Sequence, residues 1–511
     1  MSKLSFSEHI QSGYTFKKDF ITLGTAMLEG EGITGAHVKI PLKTLNRHGL
    51  IAGATGTGKT KTLQLIVEQL SLKGIPSLMM DIKGDLSGLA MPGSLNDHIT
   101  WRHNTIGLAY EPTAIPVELM TISNGDGVRL RATVSEFGPV LLSKILMLND
   151  TQSGIVSLLF KYCDDHKLPL LDLEDLKKIL QYLIGEGKEE IKKEYGSVSS
   201  ASVNKILRNV IELEQQRADL FFGEKSFEIK DLLRKKEGRG VASIIRLNDI
   251  QDKPKLFSTF MLSLLSEVYH DLPEEGDADV PKLAIFIDEA HLIFDHASRV
   301  LLDQIETMVK LIRSKGVGLF FVTQNPTDVP EEILSQLGLK VQHALRAFTA
   351  KDRRNIRKTA ENYPISEFYK TDVVLTSMGI GEALVTALDE KGRPTPLAHT
   401  LLRAPVSRMD VLTAKEIKTL VSNSDLVRVY NETINRESAY EMLSEKIEIA
   451  QREENQEKLR EVQKKSKRTR TKEEDSTLES LSKNTMVRQL GRTILREVTR
   501  GLLGILGVKK R

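Results

Sequence analysis

The chain is 511 residues long, which suggests about two to four modules of ordinary size. Its 72 Lys+Arg against 69 Asp+Glu leave a net charge of +3, so overall charge singles out no partner, and 40% hydrophobic residues exclude a wholly disordered chain. One cysteine, Cys163, excludes an intrachain disulfide framework and a cysteine-based zinc site, and fits a reducing compartment.

The N-terminus, Met1–Ser7, has no apolar signal-like run, and nowhere does the chain approach the roughly 18 uninterrupted apolar residues of a membrane span. A soluble cytoplasmic protein is expected. Residues 1–47 read as a short β segment, with strand-like runs at Phe20–Leu23 and His37–Ile40. Residues 48–129 alternate β and α signals: a strand over His48–Ala52, a helix from Lys59, then the apolar run Ile75–Met80. Residues 130–240 carry charged amphipathic patterns such as Leu171–Ile184 and Val203–Leu220. They predict a helical insertion within, or a lid on, a single α/β domain. Residues 241–408 return to alternation, with apolar runs at Leu283–Ile287, Val317–Thr323, Val341–Leu345 and Ala383–Leu388. Short buried strands alternating with helices predict an α/β fold whose mostly parallel sheet is covered on both faces.

Residues 409–511 read as a charged helical tail. From Gln451 to Arg511 there are 17 Lys/Arg against 9 Asp/Glu, which makes the tail a separate electrostatic object from an acidic body. Lys464–Lys472 holds six positive charges in nine residues, as a solvated linker or a phosphate-contacting run. In Thr485–Leu506, Arg488, Arg492, Arg496 and Arg500 recur two positions out of phase with Leu490, Ile494, Val498, Leu502 and Leu506. Two positions is about 200° on a helix, so the stripes lie on opposite faces. Such a helix packs on its own core, docks on a neighbour or lies along DNA. A membrane is not expected, because Gly501, Gly504 and Gly507 weaken the apolar end.

The chemistry begins at Gly53-Ala54-Thr55-Gly56-Thr57-Gly58-Lys59-Thr60, which fits G-x-x-x-x-G-K-[ST] between a strand and a helix. Its glycines let several N–H groups face one anion at a helix N-terminus. Lys59 would reach the β- and γ-phosphates and the Thr60 hydroxyl would bind Mg²⁺. About 230 residues later in the numbering, Leu283–Ile287 delivers Asp288 and Glu289 at its carboxyl end, where ligands of open α/β sheets bind. Asp288 is placed to support Mg²⁺ and Glu289 to polarise the attacking water. A third strand, Val317–Thr323, ends in Gln324, whose amide can sense the γ-phosphate or the water. No N-K-x-D element follows, so ATP is preferred over GTP. Asp81 and Asp85 mark either a site-facing loop or an Asp-capped turn. His291 and His343 read as structural or nucleotide-adjacent rather than as zinc ligands.

Together the Gly53–Thr60 loop, Ile287-Asp288-Glu289-Ala290-His291 and Val322-Thr323-Gln324-Asn325-Pro326 resemble the HerA/FtsK superfamily of ring ATPases. Asn46–Ile51, Asp81–Gly88, Gln342–Phe348 and Arg500–Leu506 are similar to its bacterial HerA-like (YjgR) branch, and the resemblance covers essentially the whole chain. It implies a RecA-like P-loop ATPase core and a homo-oligomer, a hexameric ring with nucleotide between subunits. It also implies translocation or unwinding of duplex DNA. Better-known members carry a β-barrel ahead of the core, whereas only residues 1–47 precede it here, so a nuclease partner is not implied. A ring needs an arginine acting across the interface; Arg313 and Arg346 are the candidates. A motor acting on a protein substrate, as in secretion, and a nucleotide-gated assembly module are the alternatives.

Overall fold

A computed structural model describes residues 3–473 other than 251, 252, 277, 297, 298, 433 and 435. Two compact units are present, Met1–Leu443 and Ser444–Arg511.

In the first unit the strands, in chain order, are β1 (Phe20–Leu28), β2 (Glu31–Pro41), β3 (Gly49–Ala52), β4 (Ser77–Asp81) and β5 (Val117–Thr121). There follow β6 (Val128–Arg129), β7 (Lys235–Lys236), β8 (Arg239–Gly240), β9 (Ala242–Arg246) and β10 (Leu283–Ile287). The last four are β11 (Val317–Thr323), β12 (Leu339–Gln342), β13 (Glu382–Thr386) and β14 (Ala398–Leu402). Twelve of them form one sheet in the order β2-β1-β14-β13-β12-β3-β11-β10-β4-β9-β5-β6, while β7 and β8 pair as a small hairpin. From β12 to β6 every pairing is parallel. From β12 outward through β13, β14, β1 and β2 every pairing is antiparallel.

The central strands are mostly apolar and buried from end to end because helices cover both faces. Every residue of β3, β4, β10 and β11 is buried, and the Phe286 and Phe320 rings stack at 4.7 Å. The N-terminal segment extends this same sheet by two strands, longer than the apolar runs suggest, after a helix over Lys3–Gly13 that composition did not signal. The run at Ala383–Leu388 corresponds to β13, which is antiparallel to its neighbours.

Two buried polar contacts secure the helices around the phosphate loop. His48 Nδ1 accepts the Leu319 N–H at 3.0 Å, and Nε2 donates to the Val309 carbonyl at 2.8 Å, joining β3, β11 and the helix Arg299–Ile312. On the helix Lys59–Leu72, the Glu68 carboxylate takes the N–H groups of Val406 and Ser407 and the Ser407 hydroxyl at 2.9–3.1 Å. Burial still holds the Glu68 carboxyl up at about 7.

Between β6 and β7 the chain is helical, with Val134–Ile145, Asp150–Asp165, Leu173–Ile184 and Ser200–Gln215 as its main helices. Thr133, Asn149, Asp172 and Ser199 cap them through their side-chain oxygens. The buried Asp175 carboxylate accepts from Ser438 Oγ and Tyr440 N at 2.6 and 2.7 Å, tying the end of the unit to this block.

In the second unit, residues 444–473 belong to the helix Ala439–Glu473. It is polar on all sides and supported by i,i+4 pairs such as Glu448–Arg452 and Glu454–Lys458. The backbone of the Lys464–Lys472 run is helical. The amphipathic stretch Thr485–Leu506 lies outside the described residues.

Candidate nucleotide-hydrolysis site

The order β3-β11-β10-β4 puts four parallel strands side by side, so the loops after them open on one edge of the sheet. That edge receives the Gly53–Thr60 loop, Gln324, the Asp288-Glu289 pair and the Asp81–Leu86 turn.

The phosphate loop is held by backbone bonds to both neighbouring strands. Gly53 N–H donates to the Thr323 carbonyl at 3.3 Å and Ala54 N–H to the Ala344 carbonyl at 2.9 Å. Gly53 has φ +153°, and a Cβ there would stand 2.5 Å from His343 Cβ, so a side chain is excluded on two counts. Gly58 caps the helix Lys59–Leu72 at φ +113°, a conformation that side chains resist. The amides of Gly58, Lys59 and Thr60 open this helix and have no intrahelical acceptor, so they can serve an anion. Under the loop, Thr62 Oγ1 and His343 Nε2 meet at 2.9 Å. Burial holds His343 down at about 4, so it stays neutral.

The Lys59 ammonium donates to the Gly53 and Ala54 carbonyls at 2.7 and 3.1 Å. Burial and the nearby Lys83 charge lower its pKa, while Glu289 and Asp288 pull it back up, so ammonium and acids share one field. Asp288 and Glu289 are buried at the end of β10. Burial first, then the adjacent Glu289 charge, lift the Asp288 carboxyl to about 7. Glu289 adopts φ +48°, a turn that a strand cannot continue through, and the next residue, Ala290, donates its N–H to the Val322 carbonyl at 2.9 Å. The Glu289 carboxylate pairs with the Lys83 ammonium and lies 3.2 Å from His291 Nδ1.

Asp81 acts as the cap of its turn: its carboxylate accepts from the N–H groups of Gly84, Asp85 and Leu86 at 2.7–3.2 Å. The turn still faces the site, through Lys83. Gln324 is exposed at the end of β11, between the phosphate loop and the acid pair. The adjoining turn is anchored by Asp328, which accepts from Thr323 Oγ1 at 2.6 Å and Asn325 N at 3.0 Å.

The two arginines part company. Arg346 is exposed and follows the Ala344 carbonyl that holds the phosphate loop. Arg313 is exposed ahead of Val317, at the opposite end of β11. Seven strand residues at about 3.3 Å each put it about 20 Å from the nucleotide edge of its own chain.

Residue chemistry suits a triphosphate with Mg²⁺. A half-buried Thr60 hydroxyl in the first helical turn and a buried Asp288 carboxyl in need of a counter-charge are hard oxygen donors. His343, read from the sequence as structural or nucleotide-adjacent, packs under the loop; Lys83 lies within the Asp81–Gly88 motif, which by itself assigns it no role of its own. The signal for Lys83 was its place directly after an apolar strand, but only the β4–β10 pairing brings it to Glu289.

Comparison with known proteins shows the family of the chain. A family model described as Helicase HerA-like C-terminal matches residues 27–511. A DNA double-strand break repair helicase HerA of Sulfolobus acidocaldarius is 24% identical over 359 residues, covering 69% of this chain and 64% of the relative. A probable helicase of Methanocaldococcus jannaschii is 26% identical over 394 residues, 68% of this chain and 65% of that protein. The chain thus spans somewhat under two thirds of the length of these relatives. Among solved structures, the bacterial conjugative coupling protein TrwBdeltaN70 shares the fold at TM-score 0.50 and 13% identity, over 80% of this chain and 95% of that one. With a mostly parallel α/β core that carries the G-x-x-x-x-G-K-[ST] loop, an acid pair with one strand between it and that loop, and a family-model match over nearly its whole length, the chain belongs to the HerA-like helicase family.

Proposed function

We propose that this protein is a Mg²⁺-dependent, ATP-hydrolysing ring motor of the HerA/FtsK type that moves along duplex DNA in the cytoplasm. The observation that carries the reading is the convergence of Lys59, Gln324 and the Asp288-Glu289 pair on one edge of three adjacent parallel strands. Lys59 and the loop amides bind the β- and γ-phosphates. Thr60 and Asp288 hold Mg²⁺, which supplies charge neutralisation on the phosphate oxygens. Glu289 accepts the proton of the attacking water, and Gln324 positions that water or senses the γ-phosphate.

The subunits form a hexamer with nucleotide between them. Arg313, too far from its own site, serves the triphosphate of a neighbouring subunit, and Arg346 serves its own; such a cross-interface arginine is worth about 10³–10⁵ in rate. No helix among the described residues is long and apolar enough to cross a membrane. DNA is the substrate named for the archaeal relative.

The test is the ATP hydrolysis rate with and without duplex DNA over a salt series. Stimulation that weakens with salt supports translocation on DNA. Hydrolysis indifferent to DNA points to a protein substrate, and nucleotide-dependent assembly without turnover to a gated module. Loss of turnover in Lys59→Ala is required by all the hydrolytic readings.

A further inference from the structure

The helix Ala350–Glu361 begins shortly after β12 and the Ala344 carbonyl that holds the phosphate loop. Its start is capped by Thr349, and the Asp352 carboxylate is spent on the N–H groups of Phe348 and Thr349 at 3.0 and 2.7 Å. Ile356 and Thr359 are buried; Ile356 shares a small core with Leu345, Tyr363 and Leu375. The Tyr363 hydroxyl, just beyond the helix, donates to Gln342 Oε1 of β12 at 3.2 Å. The helix also lies against the turn Pro326–Asp328 that follows Gln324.

Its outer face is cationic. Lys351, Arg353, Arg354, Arg357 and Lys358 are all exposed. None of the five forms an ion pair among the described residues. Arg353–Arg357 and Arg354–Lys358 stack like charges at i,i+4, which destabilises a helix, and Lys351 sits at the positive end of the helix dipole. The only acid within 351–358 is Asp352, already engaged in the cap. The first 450 residues hold 55 Lys/Arg against 60 Asp/Glu, so this patch is a local exception on an acidic body.

We infer that the exposed face of the helix Ala350–Glu361 is a contact surface for the phosphate backbone of duplex DNA, an inference that rests on the DNA reading above. Eight helical residues span about 12 Å, the length over which a duplex presents several phosphates. Three of the five cations are guanidinium forks, which match phosphate oxygens in pairs. Its base is tied through β12 and Ala344 to the phosphate loop, and its flank rests on the turn after Gln324. The proposed DNA-facing surface thus stands two short stretches of backbone from the nucleotide edge.

The experiment measures binding of a labelled 30-base-pair duplex by full-length protein over a potassium chloride series, with basal ATP hydrolysis as the fold control. Combined Arg353→Gln, Arg354→Gln and Arg357→Gln should weaken binding by about tenfold or more. It should make the log–log salt dependence shallower by about 2–3, one unit or slightly less per lost phosphate contact. DNA-free ATP hydrolysis should be unchanged. Lys192→Gln with Lys193→Gln, exposed on the helix Lys188–Glu194, should alter neither affinity nor slope. If wild type binds the duplex and the triple variant matches it in affinity and slope, the inference is overturned while the motor reading stands. If wild type ignores the duplex, whether or not it binds phosphatidylserine vesicles, the DNA reading falls and takes the inference with it.

Discussion

The Lys83 ammonium pairs with the Glu289 carboxylate where β4 and β10 lie side by side, so the loop after one strand holds the acid delivered by the next. This pairing fixes the direction in which the Glu289 carboxylate points, as the proposed role of water-activating base requires. Lys83→Ala should lower kcat by about tenfold, part of the 10²–10⁴ a positioned base contributes, with KM for ATP changed less than about twofold. Lys83→Arg should recover most of the rate. Steady-state kinetics of both variants decide the point: an Ala variant with wild-type kcat removes Lys83 from the mechanism.

Removing the proposed base itself is a sharper change. Glu289→Gln keeps the shape and the φ +48° turn but cannot accept a proton. ATP affinity should be retained while turnover falls by about 10²–10⁴. Nucleotide binding by fluorescence and single-turnover hydrolysis, measured on one preparation, separate the two effects; unchanged hydrolysis would reassign the base.

Arg313 stands at the far end of β11 from its own phosphate loop, which makes its role testable by mixing subunits. Arg313→Ala and Lys59→Ala should each be inactive alone. Equal mixtures should regain part of the activity, because some interfaces then combine an intact Lys59 from one subunit with an intact Arg313 from the next. Mixtures as inactive as the single variants would place both residues in the same site.

His48 sets a pH limit. Its Nδ1 accepts the Leu319 N–H, so the ring is neutral, and burial lowers its pKa to about 4 against about 6.5 when unfolded. Below pH about 6.5 the unfolded chain takes up a proton that the folded chain refuses. The contribution is therefore complete above that pH and is lost as pH falls towards 4, up to about 3 kcal/mol. Thermal midpoints at pH 7 and pH 5 should show a smaller drop for His48→Gln than for wild type. The difference isolates His48 from buried acids such as Glu68, whose raised pKa acts with the opposite sign.

Much of the site was legible because its signals are local. The Gly53–Thr60 loop needs glycine where the backbone turns tightly, and an apolar run ending in Asp288-Glu289 announces a buried strand that delivers two acids at its carboxyl end. The runs at Leu283–Ile287 and Val317–Thr323 coincide with β10 and β11. The antiparallel wing was not legible, since β13 has the same apolar character as a parallel strand and pairing direction depends on where the chain returns. Gln64 and Glu68 would pass for solvent-facing positions of a helix; both are buried against the segment 406–408.

Residue order alone determined the phosphate loop, the acid pair and the α/β class, because each depends on chemistry within a few neighbouring positions. Strand order was decided only in the tertiary structure. It inserted β11 between the loop and the acids, set Lys83 against Glu289, put Asp81 to work as a turn cap and sent Arg313 to the opposite edge. Those outcomes rest on contacts between segments about two to three hundred residues apart, whose geometry comes from packing the whole sheet rather than from any stretch of it.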